Sequence, residues 1–130
     1  MATIFTRIIN GEIPCYKVAE DDRYFAFLDI NPLREGHTLV VPKQEVDYFF
    51  DIEDNDIEGI MVFSKKVAAA IRAAYPCNRI GIAILGLEVP HAHIHLVPMN
   101  SMEDINFKNP KLKFTPEEFK EISANIRKYL

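Results

Sequence analysis

The chain has 130 residues, 48% of them hydrophobic and 26% charged, with a net charge of −4. That length suits a single domain, 1–130, with one sizeable core, and is too short for two domains of ordinary size. The acidic balance excludes broad nucleic-acid binding, which needs a basic face to displace counterions, yet it allows one locally positive pocket for a small anion.

The N-terminal MATIFTRIINGEIP has no long apolar run, so neither a signal peptide nor a membrane anchor is expected and the expected location is cytoplasmic. Within it, Phe5, Ile8 and Ile9 stand at helical spacing ahead of Gly11, which predicts a short first helix. CYKVAED and RYFAFLDI are two β-rich runs joined around Asp21-Asp22, the pattern of a hairpin. INPLREG is turn chemistry, and HTLVVP follows as a third strand that ends at Pro42, whose missing N–H cannot extend a ladder. From Asp54 to Tyr75, Ile57, Ile60, Met61, Val67, Ile71 and Ala74 follow a 3.6-residue period and predict one long amphipathic helix packed on a sheet. RIGIAIL and PHAHIHLVP are the fourth and fifth strands, and Thr115, Pro116 and Glu118 form a capping box that opens a C-terminal helix. The resulting fold is α+β: a five-stranded antiparallel sheet with a long central helix and a C-terminal helix, the helices on one face. Cys15 and Cys77 lack metal-ligand spacing and read as reduced core or strand thiols.

Three of the four histidines, His91, His93 and His95, occupy alternate positions of the fifth strand. Alternation places them in one column, about 6.6 Å per step, with Ala92, Ile94 and Leu96 turned toward the core. Three readings compete. A solvated polar face is the plainest, although lysine, threonine or glutamate fill such faces more often. A metal site is the second, with a further ligand from His37, Asp29 or Glu88. The third is phosphoryl chemistry, in which a neutral imidazole attacks phosphorus while its other ring nitrogen is held by an acceptor. Spacing alone divides the second and third evenly.

HAHIHLVP resembles the His-x-His-x-His-x-x signature of the histidine-triad (HIT) nucleotide-binding proteins. IFTRIINGEIP, EDDRYFAFLDINP and GHTLVVPK resemble the N-terminal half of the same family, in order, so the likeness spans residues 4–98. The resemblance implies a homodimer with a continuous ten-stranded sheet that hydrolyses or transfers nucleoside monophosphate groups. It assigns His93 as the nucleophile, His91 and His95 as its phosphate-contacting partners, and His37 as the residue that orients the cluster. Asp29 would grip the ribose hydroxyls; Phe5, Ile8, Phe27 and Ile30 would surround the base, and Gly86 would allow the backbone to approach the phosphate. Asp29 also fits a plain turn residue before Asn31-Pro32, and the four apolar residues also fit ordinary core.

Two departures from the family pattern matter. Many relatives carry Cys-x-x-Cys near the N-terminus, with a later histidine, as part of a structural zinc site; here those positions are Thr3, Thr6 and Glu45, so no metal is expected. The stretch before the triad reads AILGLEVP, with Leu87 and Glu88 where relatives place neutral polar donors, and a carboxylate there would repel phosphate. The expected activity is cleavage of purine nucleoside phosphoramidates or related mononucleotide conjugates through a nucleotidyl-histidine, without a cofactor. A dinucleoside polyphosphate hydrolase, a nucleotide-binding protein with little turnover, and a His-based metalloenzyme are the alternatives. Lys108, Lys111 and Lys113 read as a solvated basic patch.

Overall fold

A computed structural model describes residues 2–130. Helix α1 (Ile4–Ile9) is followed by strands β1 (Lys17–Glu20), β2 (Tyr24–Leu28) and β3 (Thr38–Pro42), helix α2 (Asp54–Ala74), strands β4 (Arg79–Ala83) and β5 (Ile94–Met99), and helix α3 (Pro116–Arg127). Single turns of 3-10 helix at Phe49–Asp51 and Met102–Ile105 complete the order. The strands form one antiparallel sheet in the order β1-β2-β3-β5-β4.

Local signals place these elements. Thr3 caps α1, its hydroxyl accepting from the Thr6 amide at 3.1 Å, and Gly11 turns the chain away at a φ of 81°. The Asp21 carboxylate accepts from the amides of Arg23 and Tyr24, both at 2.8 Å, and so closes the β1–β2 turn. The Thr115–Glu118 capping box opens α3 as expected.

Strands β2 and β3 are buried on both faces. Tyr24, Ala26 and Leu28 of β2, with Val40, Ile94 and Leu96, pack against α2 and α3; Phe25, Phe27, Leu39 and Val41 turn the other way and meet Phe5 of α1. Helices therefore cover both faces, not one, because β2 is apolar at every position and both of its sides need partners. Gly59 lets α2 come close to the sheet: a Cβ there would overlap the hydroxyl of Tyr24, which donates to the Asp56 carbonyl at 3.1 Å. Met61, expected on the inner stripe of α2, is 42% exposed. It follows Ile60 by one residue, about 100° around the helix, and falls outside the row of Ile60, Ser64, Val67 and Ile71.

The last two strands are shorter than the sequence suggests. β4 ends at Ala83, and β5 begins at Ile94 rather than near Pro90. Pro90 cannot donate to a ladder, and β3 pairs with β5 only from Val40↔Ile94 to Thr38↔Leu96. His91 and His93 thus sit on the approach to the strand, and His95 alone of the three lies within it.

Candidate active site

On the α1 face of the sheet lies a cavity of about 450 Å³. Phe5, Ile8, Phe27 and Ile30 line it, along with Asp29, Gly86, His37, His93 and His95. These are the residues singled out in the sequence, save one. His91 is fully buried against Phe5 and does not border the cavity. Ala92, Ile94 and Leu96 belong to the core cluster under α2, so the alternation across the sheet holds through residues 92–96 even though the ladder starts late.

Hydrogen-bond partners fix the state of each ring. The Leu33 amide donates to His37 Nδ1 at 3.0 Å, so the His37 proton is on Nε2, which lies 3.0 Å from His95 Nδ1. His95 Nδ1 is then the acceptor, and its Nε2 carries the hydrogen. His93 Nδ1 lies 2.7 Å from the His91 carbonyl, an acceptor only, so Nδ1–H donates and Nε2 keeps its lone pair. The rings of His93 and His95 meet edge-on with centroids 5.0 Å apart, and Phe5 meets His93 at the same distance. Burial pushes His37 down to about 3, and burial and then His93 push His95 down to about 4. His93 is lowered too, burial outweighing its bond to the His91 carbonyl. All three are neutral at neutral pH, the state a nucleophilic imidazole needs.

Asp29 serves the turn and also reaches the histidine cluster. One oxygen accepts from the Asn31 amide at 2.8 Å and serves the turn; the other lies 3.5 Å from His37 Nε2. Burial raises its carboxyl above the usual range, with the Asn31 bond acting against it. Asp29, His37 and His95 also bring three ligand atoms within 4.8 Å of one another, the grouping a metal reading requires. The tautomers oppose that use. With Leu33 donating to Nδ1, a metal on His37 Nε2 must expel the remaining ring proton or break the Leu33 bond.

Nor do Thr3, Thr6 and Glu45, with the nearby His91, fit a structural zinc ion: two alcohols that stay protonated at neutral pH stand where thiolates would be needed. They bond to one another instead. Thr3 Oγ1 lies 2.8 Å from His91 Nδ1, while Glu45 Oε1 accepts from the Thr3 amide and the Thr6 hydroxyl, both at 2.7 Å.

Sequence reasoning missed Phe107 and Lys111, which also line the cavity. The Phe107 ring stands 4.8 Å from His95 and 6.2 Å from His37. Its segment is tied back to the site: the Leu112 amide donates to the Pro32 carbonyl at 2.8 Å, and Arg34 pairs with Asp104 at 2.6 Å. Lys111, expected in a solvated patch with Lys108 and Lys113, is half-buried, its ammonium donating to the Asn109 carbonyl at 3.0 Å, and is the sole lysine or arginine among the lining residues. No period marks this loop; a lone aromatic and lysine four residues apart were the available signal. Cys15, expected in the core or a strand, borders the cavity ahead of β1. Glu88 and Leu87 also border it, Leu87 being 92% exposed.

These features define an α+β domain whose sheet presents a hydrogen-bonded cluster of neutral histidines to an apolar cavity. Residues 10–102 match the family model of the HIT domain, and the chain belongs to the HIT family. An uncharacterized HIT-like protein of Borreliella burgdorferi is 40% identical, over 95% of this chain and 94% of its own length. An adenosine 5′-monophosphoramidase of Schizosaccharomyces pombe is 35% identical, over 98% of this chain and 100% of its own. A crystal structure of a HIT-like protein from Bartonella henselae superposes with a TM-score of 0.85 at 28% identity, covering 98% of this chain and 96% of that one.

Proposed function

We propose that this protein is a nucleotide hydrolase or nucleotidyl transferase that cleaves purine nucleoside phosphoramidates, or related nucleoside monophosphate conjugates, without a metal. The observation that carries the reading is the His93 ring, its Nδ1–H held by the His91 carbonyl and its Nε2 lone pair free at the cavity. The 35% identity to a relative named as an adenosine 5′-monophosphoramidase supports the substrate class.

Attack by His93 Nε2 on phosphorus forms an N–P bond as the bond to the leaving nitrogen breaks, and that nitrogen, already protonated from the medium, departs as the neutral amine. The phosphorylated ring becomes an imidazolium, and the His91 carbonyl and the charges of Asp29 and Glu88 favour that cationic form. Glu88 thus opposes the incoming phosphate and yet favours the intermediate. The His95 Nε2–H donates to a phosphoryl oxygen, and His37 holds His95 in the tautomer that can do so. Water then attacks phosphorus, the N–P bond breaks, and the mononucleotide leaves with His93 neutral again. Asp29 takes the ribose hydroxyls, the apolar wall takes the base, Gly86 leaves room for the phosphate, and Lys111 offsets two carboxylates.

Dinucleoside polyphosphates are the nearest other substrates, and the exposed Leu87 beside Glu88 favours slow turnover as the second reading. A homodimer is part of the proposal. β4 forms an edge of the sheet, and the exposed Ile82, Ile84 and Leu85 on and beyond it support pairing with a second copy. No described helix is long and apolar enough to cross a membrane; a cytoplasmic location accords with the proposed substrates.

The test is AMP release from adenosine 5′-phosphoramidate in excess EDTA. Chelator-resistant turnover is the expected result. Tight AMP binding without turnover of phosphoramidate or dinucleotide would select the binding reading, and activity lost to EDTA and restored by zinc would overturn the nucleophile assignment.

A further inference from the structure

The mechanism leaves Thr3, Thr6 and Glu45 without a role, although Thr3 bonds to a triad histidine. The backbone around His91 gives the reason to look again. His91 lies three residues ahead of the β5 ladder, and its neighbourhood is held by the bonds His91 N–H to Val89 carbonyl at 2.8 Å and Ala92 N–H to Val46 carbonyl at 2.6 Å. The His91 carbonyl nevertheless has the task of accepting from His93 Nδ1 and so of keeping Nε2 bare. The sheet does not hold that carbonyl in place.

The His91 side chain does. Nε2 lies 2.8 Å from the Pro42 carbonyl, which only accepts, so Nε2 carries the hydrogen and anchors the ring to the end of β3. Nδ1 must then accept, and the donor is the Thr3 hydroxyl at 2.8 Å. Thr3 is fixed in turn from two sides: its hydroxyl accepts from the Thr6 amide, and its own amide donates to Glu45 Oε1. The Thr6 hydroxyl donates to the same carboxylate oxygen. The Thr3 hydroxyl also lies 3.3 Å from Thr6 Oγ1, but the shorter contact, to His91 Nδ1, takes its hydrogen, because that nitrogen has no other donor. These bonds keep the Glu45 carboxyl below the usual range, so it stays ionised through the neutral region.

We propose that Glu45, acting through Thr3 and Thr6, is a positioning residue for His93: it ties the first turn of α1 to His91, whose carbonyl sets the ring that attacks phosphorus. Glu45 touches neither substrate nor the reacting atoms. Its hydrogen bonds hold the place that a structural metal holds in relatives, and they make the geometry of His93 depend on the first turn of α1. The proposal rests on the reading of His93 as nucleophile.

The experiment compares Thr3→Val with Thr3→Ser, and Glu45→Ala with Glu45→Gln, at a temperature where circular dichroism shows each variant folded. Serine keeps the hydroxyl, and glutamine keeps an oxygen that accepts from both donors; valine and alanine remove these groups. Thr3→Val and Glu45→Ala are expected to lower kcat for adenosine 5′-phosphoramidate roughly 10- to 100-fold with KM nearly unchanged, while the Ser and Gln variants retain most of it. Wild-type kcat in the Val and Ala variants, or equal losses in Ser and Gln, would overturn the proposal. Long-range proton–nitrogen NMR of the imidazoles gives a readout that needs no turnover. His93 is expected as the Nδ1–H form in the wild type and as a mixture of both tautomers in Thr3→Val; an unchanged His93 there would also overturn it. A wild type that cleaves nothing while the tautomer shift on Thr3→Val still occurs would sink the nucleophile reading and leave the positioning intact.

Discussion

Replacing His93 with alanine is expected to lower kcat for phosphoramidate cleavage by at least about 10³-fold while AMP binding changes little. The size follows from where the lone pairs are. His91 uses one ring nitrogen on Pro42 and the other on Thr3. His37 is held by Leu33 and His95, and His95 spends its one bare nitrogen on His37. Only His93 combines a bare nitrogen with a place on the cavity, so no neighbour can substitute as nucleophile. The binding contacts lie elsewhere, on Asp29 and the apolar wall. Single-turnover kinetics and titration calorimetry with AMP check the two halves separately. A variant that keeps turnover within tenfold would move the nucleophile off His93.

Acid is expected to unfold the protein through the histidine pair rather than through exposed carboxylates. His37 and His95 are held neutral in the fold, down to about 3 and about 4, whereas an unfolded chain protonates them near 6.5. Between these limits the unfolded state binds more protons, so stability is fully present above about 6.5 and is lost as the pH falls through the folded values. His37 alone accounts for a loss of roughly 5 kcal/mol at full protonation, comparable to the whole stability of a small domain. The titratable groups facing the pair are Asp29, Lys111 and His93, the last lowering His95 further. Burial raises Asp29, which takes up its proton more readily in the fold and offsets part of the loss. Lys111 adds to the penalty on a protonated His37. Urea unfolding at a series of pH values reads the slope, which His37→Asn, keeping a donor and an acceptor without a titrating ring, is expected to flatten. A midpoint that does not move between pH 7 and 5 would contradict the buried neutral pair.

Much of this was legible in the residues. The 3.6-residue period named α2, the Thr115–Glu118 box named the start of α3, and alternation put Ile94 and Leu96 under the helix, because each of these signals is local. The histidine motif pointed to one cluster, and the structure brings His37, one residue ahead of β3, to His95. The losses were of a different kind. Where β5 begins depends on how far β3 extends alongside it, and no residue near Pro90 records that. The second helical face follows from β2 being apolar at every position, a feature visible in YFAFL but ambiguous until α1 is seen against it. Phe107 and Lys111 reach the cavity through a loop held by Pro32 and Arg34, contacts made across 80 and 70 positions of chain. The bonds among Thr3, Thr6, Glu45 and His91 were hidden for the same reason: sequence showed what the three replaced, and only the fold shows what they hold.

The most direct measurement mixes the protein with adenosine 5′-phosphoramidate, quenches in base within the first turnover, and maps any modified peptide by mass spectrometry. The expected result is a transient gain of one adenylyl group on the peptide containing residues 91–95, located on the His93 ring and absent from His93→Ala. Turnover at a normal rate with no adenylylated peptide at any time, or with the group on another residue, would contradict a covalent role for His93.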